Sequence, residues 1–154
     1  MLQRIQSLFV LISLGLWVSI YFFPLASVYN LSSVYQFQIS GIYSLIPEGT
    51  EFLSSLTPLF ILFIAIAVIQ VITLFLYKRR RLQMRFCVYA AMLMAGFLIL
   101  IFYYVFLTRN GDENASVTWE IPIILPLCSA ILNIIAYRFI LKDERLVRSI
   151  DRIR

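Results

Sequence analysis

The polar side chains inside the long apolar stretches are the residues of this chain that could do chemistry. They are two amides and four hydroxyls: Gln70, Asn133, Ser13, Ser19, Thr73 and Ser129. Neutral amides and hydroxyls donate and accept hydrogen bonds, but they do not carry charge near neutral pH. The pattern therefore predicts hydrogen bonding between buried segments, or the lining of a polar path, rather than acid–base catalysis.

Groups that commonly serve catalysis or metal binding are scarce. The chain has no histidine, which removes the usual acid–base group near neutral pH and the commonest metal ligand. Cys87 and Cys128 are far apart and neither has a CxxC partner, so they fit neither a zinc site nor a disulfide framework. The sequence predicts no catalytic, cofactor-binding or metal-binding residue, and a protein that is not an enzyme.

Long apolar stretches place these polar residues inside a membrane. The chain is 62% hydrophobic and 14% charged, whereas a typical soluble domain is about 25% charged. Because about 20 apolar residues cross a bilayer as a helix, the uncharged stretches predict spans over about 5–24, 55–77, 86–108 and 121–141. The span cores hold no Asp, Glu, Lys or Arg, which argues against an ion-coupled pump or a proton relay.

Basic residues collect on one side of the predicted bundle. All but one of the 13 Lys and Arg residues lie near the N-terminus, in segment 78–85 or in segment 138–154; the exception is Arg109. The positive-inside rule then places both termini and a loop at 78–85 in the cytoplasm, and loops 25–54 and 109–120 outside. We expect one integral domain over residues 1–154, located in a bacterial inner (plasma) membrane.

The first outer loop carries a strand pattern. Tyr35, Phe37 and Ile39 alternate with polar residues, as in a half-buried strand. Residues 42–45 could return as a second strand, with further short strands at 28–31 and 117–119. We expect a small β-ribbon, which is either a lid over the helices or a docking surface for a partner strand. On the second interpretation, Tyr35, Phe37 and Ile39 make the contact.

Gln70 and Asn133 fall at similar depth on two predicted helices that run parallel to each other. An interhelical hydrogen bond between them would contribute about 0.6–2 kcal/mol. The alternative is that both amides line a path for a polar solute. On the third span, Ala91, Ala95 and Gly96 form a face of small residues that favours close helix approach.

Segment 142–154 has the apolar periodicity of an amphipathic helix. Such a basic helix next to a span favours anionic lipid headgroups at the cytoplasmic face, or self-packing. The alternative is a docking helix for a cytoplasmic protein. Nucleic acid is not an expected partner, because no aromatic residues alternate with the basic ones. The candidate contact residues are Arg145, Arg148, Arg152 and Arg154.

Three segments resemble a bacterial family of uncharacterised four-span inner-membrane proteins of about this length. They are 1–7 (MLQRIQS), 77–85 (YKRRRLQMR) and 142–154 (KDERLVRSIDRIR). The resemblance implies membrane location and architecture, and it points to the cytoplasmic ends for recognition. Since the family has no assigned activity, it transfers no site residue. The four spans and β-rich first outer loop also resemble the claudin-type arrangement, although this loop lacks that group's cysteine pair and tryptophan.

The sequence thus predicts an all-α membrane protein. It would be a four-helix transmembrane bundle with a small β-ribbon in the first extracytoplasmic loop and a C-terminal amphipathic cytoplasmic helix. The expected function is that of a scaffold or accessory subunit of a larger membrane assembly, with a membrane protein partner or self-association. The alternative is a small oligomeric transporter or channel for a neutral or polar solute, lined by Gln70 and Asn133. No cofactor is expected.

Overall fold

Four helices form the long elements of the structure. The computed structural model describes the backbone of residues 2–30, 34–46, 49–109 and 115–151, and the side chains of 7–30, 34–45, 50–77, 79–109 and 115–145. The helices are α1 (Leu2–Ser19), α2 (Thr57–Phe75), α3 (Arg80–Arg109) and α4 (Ile124–Asp151). Short 3-10 turns follow α1 and α2 and precede α4, at Ile20–Phe22, Leu76–Lys78 and Ile121–Ile123.

Three helices are long and apolar enough to cross a membrane, among the residues that the structure describes. They are Thr57–Phe75, Arg80–Arg109 and Ile121–Arg145, the last including the turn before α4. The corresponding apolar part of α1, Ser7–Phe22, is shorter. Many large apolar side chains on these helices are exposed, including Ile61 and Ile99. Exposed apolar surface of this extent is typical of a protein that contacts lipid or a partner.

Five strands form an antiparallel sheet at one end of the helices. Four lie between α1 and α2: β1 (Ala26–Tyr29), β2 (Val34–Gln38), β3 (Gly41–Ile46) and β4 (Gly49–Ser54). The fifth, β5 (Ser116–Trp119), lies between α3 and α4. The order across the sheet is β4-β3-β2-β1-β5. In β1, Ala26 pairs with Phe37 of β2 on one side and with Trp119 of β5 on the other.

The prediction of an all-α fold is wrong, because the protein combines four helices with a five-stranded sheet. The strand pattern at Tyr35 and Phe37 does mark β2, but the ribbon expected there is one part of a larger sheet. Isolated short strands are marginally stable in water. Here β1 stabilises them, since Ala26 and Val28 are fully buried against the helices.

Trp17 anchors the sheet-bearing end of the bundle, which we call the sheet end. Its indole Nε1 donates a hydrogen bond to the backbone oxygen of Phe63 at 3.1 Å. The indole ring also lies 5.5 Å from the ring of Phe63 and 5.0 Å from that of Phe97. Trp17 therefore joins α1, α2 and α3 immediately beneath the sheet.

The opposite end of the bundle carries all the described basic side chains except Arg109, and we call it the basic end. Its basic side chains are Arg79, Arg80, Arg81, Arg85, Arg138, Lys142 and Arg145.

Two expectations about the basic end are wrong. Residues 80–85 are the first turns of α3 rather than a loop. Residues 142–151 continue α4 without a break, so they are not a separate surface helix. The physical reason is that α4 holds no glycine and has no proline after Pro126, and these are the residues that usually end helices.

Candidate functional site

A buried polar cluster lies between α1, α2 and α4. Ser13 comes from α1, Gln70 from α2, and Ser129 and Asn133 from α4. Ser129 and Asn133 are four residues apart, so they share one face of their helix. All four residues are 0% exposed. Each is the polar interruption of an otherwise apolar helix face, and packing directs the four side chains towards one another.

The two serines join α1 to α4. Their Oγ atoms lie 2.6 Å apart. The hydroxyl of Ser13 donates to the backbone oxygen of Ser129 at 3.0 Å, and the hydroxyl of Ser129 donates to the backbone oxygen of Ser13 at 2.9 Å. Small side chains permit this close approach of two helix backbones.

Both amides bond to Ser13. Gln70 Nε2 donates to Ser13 Oγ at 2.7 Å, and Asn133 Nδ2 donates to the same oxygen at 2.8 Å. Asn133 Nδ2 also lies 3.0 Å from the backbone oxygen of Ser129. The two amides predicted from the sequence therefore do lie in one cluster. Their link runs through Ser13, a role that the spacing of the amides did not reveal.

Two buried acceptors in the cluster lack a hydrogen-bond partner among the described residues: Gln70 Oε1 and Asn133 Oδ1. An unpaired buried carbonyl costs about 1–3 kcal/mol. All four side chains of the cluster are neutral, and none of them exchanges protons near neutral pH. Its chemistry is that of interhelical hydrogen bonding, with two acceptors left open.

Two of the three residues predicted to form an outer contact surface are covered by the core. Phe37 and Ile39 are fully buried between sheet and helices, and Tyr35 is half-buried and packs against the same core. Phe37 and Ile39 are therefore not accessible to a partner in this arrangement. Their placement supports the lid interpretation for the inner face of the sheet.

The exposed strand that sequence reasoning missed is β4. It pairs with β3 on one side, and its other side has no partner among the described strands. Phe52 is 58% exposed and Leu53 is 56% exposed. The segment GTEFLS does not alternate regularly between apolar and polar residues, so it lacks the signal that identifies a half-buried strand.

An apolar groove of about 440 Å³ lies at the sheet end between α3 and β5. The ring of Phe102 in α3 lies 4.4 Å from that of Trp119 in β5 and forms part of its wall. Arg109, the one basic residue predicted to lie outside, also lines the groove. The groove adds apolar surface to the end of the bundle that carries the open strand.

Of the four arginines predicted to contact lipid or a partner, Arg145 and Arg148 lie on the last part of α4. Arg145 is exposed. The backbone of Arg148 lies within α4, but its side chain lies outside the described part, as do Arg152 and Arg154 entirely.

Two ion pairs hold α3 against α4 at the basic end. Arg80 lies 3.3 Å from Asp143, and Arg81 lies 3.4 Å from Glu144. Basic residues at a helix N-terminus oppose the helix dipole, and the two carboxylates of α4 offset that repulsion.

Two grooves open beside these pairs. One, of about 400 Å³, lies between α3 and α4 and is lined in part by Arg85 and Tyr137. The other, of about 280 Å³, follows α4 and is lined by Arg138, Leu141, Lys142 and Arg145.

Metal-binding geometry is not found in the described residues. No group of three His, Cys, Asp or Glu side chains there could hold a metal ion. Cys87 and Cys128 are both free thiols, in line with their separation in the sequence.

Comparison with known proteins identifies a family but no activity. A search of curated proteins finds no match. A family model described as a domain of unknown function (DUF4293) matches residues 2–153, which includes all four helices, the five strands and the polar cluster. Because the match extends over nearly the whole chain, this protein belongs to the DUF4293 family.

Proposed function

We propose that this protein is a non-enzymatic, multi-pass membrane protein that serves as a scaffold or accessory subunit of a larger membrane assembly. The observation that carries the proposal is the open edge of β4 with its two exposed apolar side chains, Phe52 and Leu53. An unpaired edge strand presents free backbone donors and acceptors to another chain. Proteins commonly use such edges to bind a partner strand.

The proposed setting is a bacterial inner membrane crossed four times, with both termini in the cytoplasm. The polar cluster supports α1 as the fourth span, because buried bonds from Ser13 tie α1 to Gln70 of α2 and Ser129 of α4. The basic end supports the orientation, since positive residues are retained on the cytoplasmic side. The sheet then lies outside.

Site-specific photo-crosslinking from β4 tests the scaffold role. A photoreactive amino acid replaces Phe52 in the full-length chain in native membranes, and the matched control replaces Ile61 of α2, which is similarly exposed at 62%. We expect a discrete adduct from position 52 and only diffuse lipid adducts from position 61. An adduct of twice the chain mass identifies self-association as the assembly.

The same crosslinking experiment can also contradict the scaffold role. If position 52 gives no adduct beyond that of position 61, and the chain elutes alone from native membranes, the scaffold proposal is wrong.

A second candidate function is transport of a neutral or polar solute past the buried cluster. The unpartnered oxygens of Gln70 and Asn133 favour it, because acceptors of this kind can bind a passing solute. Against it, both residues are fully buried. Cysteines placed at positions 70 and 133 test this transport function. Labelling of both by a water-soluble thiol reagent supports a solute path past the cluster. Protection of both cysteines under all conditions excludes a path at this position.

A further inference from the structure

The groove between α3 and α4 at the basic end is lined by charged, aromatic and aliphatic side chains from both helices. Arg81, Arg85 and Tyr89 of α3 follow one another at four-residue intervals and line one wall. Tyr137 and Leu141 line the wall on α4, again four residues apart. Because such residues share a helix face, the groove is a continuous feature of two neighbouring faces.

Charge and apolarity are separated along the groove. Arg81 and Arg85 lie in the first turns of α3, at the end of the bundle, and Val88 lies deeper along the same helix. Tyr89 lies next to Val88 at this deeper level, and tyrosine is enriched at membrane–water interfaces. Along α3, cations at the end of the bundle followed by aliphatic and aromatic side chains deeper in it are the order that complements a phospholipid entering from the bilayer.

Arg85 provides the free charge of the groove. Arg81 is shared with Glu144 at 3.4 Å, whereas Arg85 makes no ion pair with any acidic side chain that the structure describes. An arginine fork binds phosphate oxygens in a bidentate manner. A phosphate at this level would meet Arg85 first and Arg81 beside it.

We propose that this groove binds one anionic phospholipid from the leaflet on the basic side. The phosphate bonds to Arg85 and Arg81, and an acyl chain lies along Val88 and Tyr89. This site differs from the general attraction of lipid to the α4 arginines, because two helices build it and its apolar wall requires a chain. It rests on the membrane setting proposed above, and not on the scaffold role.

Native mass spectrometry of the purified full-length chain in detergent tests this site. Phosphatidylglycerol is added to the wild type, to Arg85→Gln and to Arg79→Gln, which removes a charge at the same end but outside the groove lining. Loss of one charged phosphate contact, about 1.4 kcal/mol, weakens binding about tenfold. We expect that change for Arg85→Gln, less than about twofold for Arg79→Gln, and partial recovery in Arg85→Lys, which restores the charge but not the bidentate fork.

Two further arms identify the ligand. Phosphatidylcholine carries the same chains without net charge, and glycerol phosphate carries the phosphate without chains; we expect both to bind at least about tenfold more weakly than phosphatidylglycerol. Equal binding of phosphatidylcholine, equal binding of glycerol phosphate, or equal effects of Arg85→Gln and Arg79→Gln would each overturn the proposal. The experiment uses the isolated chain, so its outcome does not depend on whether a protein partner exists.

Discussion

At the scale of single residues, Ser13 is the point where three helices exchange hydrogen bonds. Its hydroxyl oxygen accepts from Gln70 and Asn133 and lies 2.6 Å from the hydroxyl of Ser129. A small hydroxyl can serve several neighbours because its oxygen has two lone pairs and one proton. The two amides are the conspicuous polar residues of the sequence, but the hydroxyl of Ser13 is the acceptor that links them.

Replacing Ser13 with alanine should destabilise the bundle by about 1–3 kcal/mol, because each of two buried amide groups loses one of its acceptors. The measurement is the free energy of unfolding in detergent. Ser19→Ala is the matched control, since Ser19 Oγ bonds only locally, to Leu16 O at 2.7 Å, and should change stability by less than about 0.5 kcal/mol. Equal effects of the two substitutions would show that the cluster does not stabilise the bundle.

Gly41 is required by the close approach of β3 and β4. A Cβ atom at this position would lie 2.6 Å from the backbone oxygen of Ser54 and 2.6 Å from the ring of Phe52. Gly41→Ala should therefore destabilise the sheet by about 1–3 kcal/mol. Proteolysis between α1 and α2, compared with wild type, measures this loss.

Gly96→Ala is the control for that substitution. Nothing lies within 4 Å of a Cβ placed at Gly96, so the close helix contact predicted there from the small residues is not made. Alanine at a helical position is favoured over glycine by about 1 kcal/mol. We expect Gly96→Ala to be neutral or stabilising, and a loss similar to that of Gly41→Ala would contradict the steric argument.

At the scale of elements, the start of α3 and the last part of α4 are held together by charge. Arg80 and Asp143 have side chains that are 24% and 14% exposed, whereas Arg81 is 73% exposed. An exposed ion pair contributes little, because water and salt screen it and its side chains lose conformational freedom. The Arg80–Asp143 pair should therefore stabilise the structure more than the Arg81–Glu144 pair, although the two N···O distances are nearly equal.

A double-mutant cycle with Arg80→Gln and Asp143→Asn should give a coupling energy of about 0.5–1 kcal/mol at low salt. The same cycle with Arg81→Gln and Glu144→Gln should give a value at the lower end of that range or below it. Unfolding of each variant in detergent supplies the four free energies. A larger coupling for the Arg81 pair would show that burial does not determine the strength of these bridges.

At the scale of the whole molecule, α4 is longer than the bilayer core. Its 28 residues span about 42 Å at about 1.5 Å per residue, whereas the core is about 30 Å thick. In the proposed membrane setting, a helix of this length projects beyond the bilayer core. Its last turns would then extend into water, rather than lying flat on the surface.

The proposed four-span threading predicts that both termini are on the same side. Cysteines introduced at positions 3 and 153 should resist a non-permeant thiol reagent on intact cells and react after the membrane is opened. A cysteine at position 51 of β4, on the opposite side, should react in intact cells and serves as the control. Labelling of either terminus in intact cells would contradict the threading.

Composition and local patterning are enough to predict the apolar helices, their basic end and the polar residues buried among them. These properties follow from composition and local periodicity, so uncharged runs and the positions of Gln70 and Asn133 were sufficient. The strand at β2 was also visible, because alternation at Tyr35 and Phe37 is a local signal.

The five-stranded sheet, the role of Ser13 and the groove at Arg85 are evident only in the folded chain. Paired residues of β1 and β5 are 87 to 93 positions apart, and Ser13 meets Ser129 from the far end of the sequence. Contacts of this kind depend on which helix faces meet, and local residue patterns do not encode that choice. The same limit explains why the alternation at Phe37 and Ile39 is compatible with a contact surface, although packing buries both side chains.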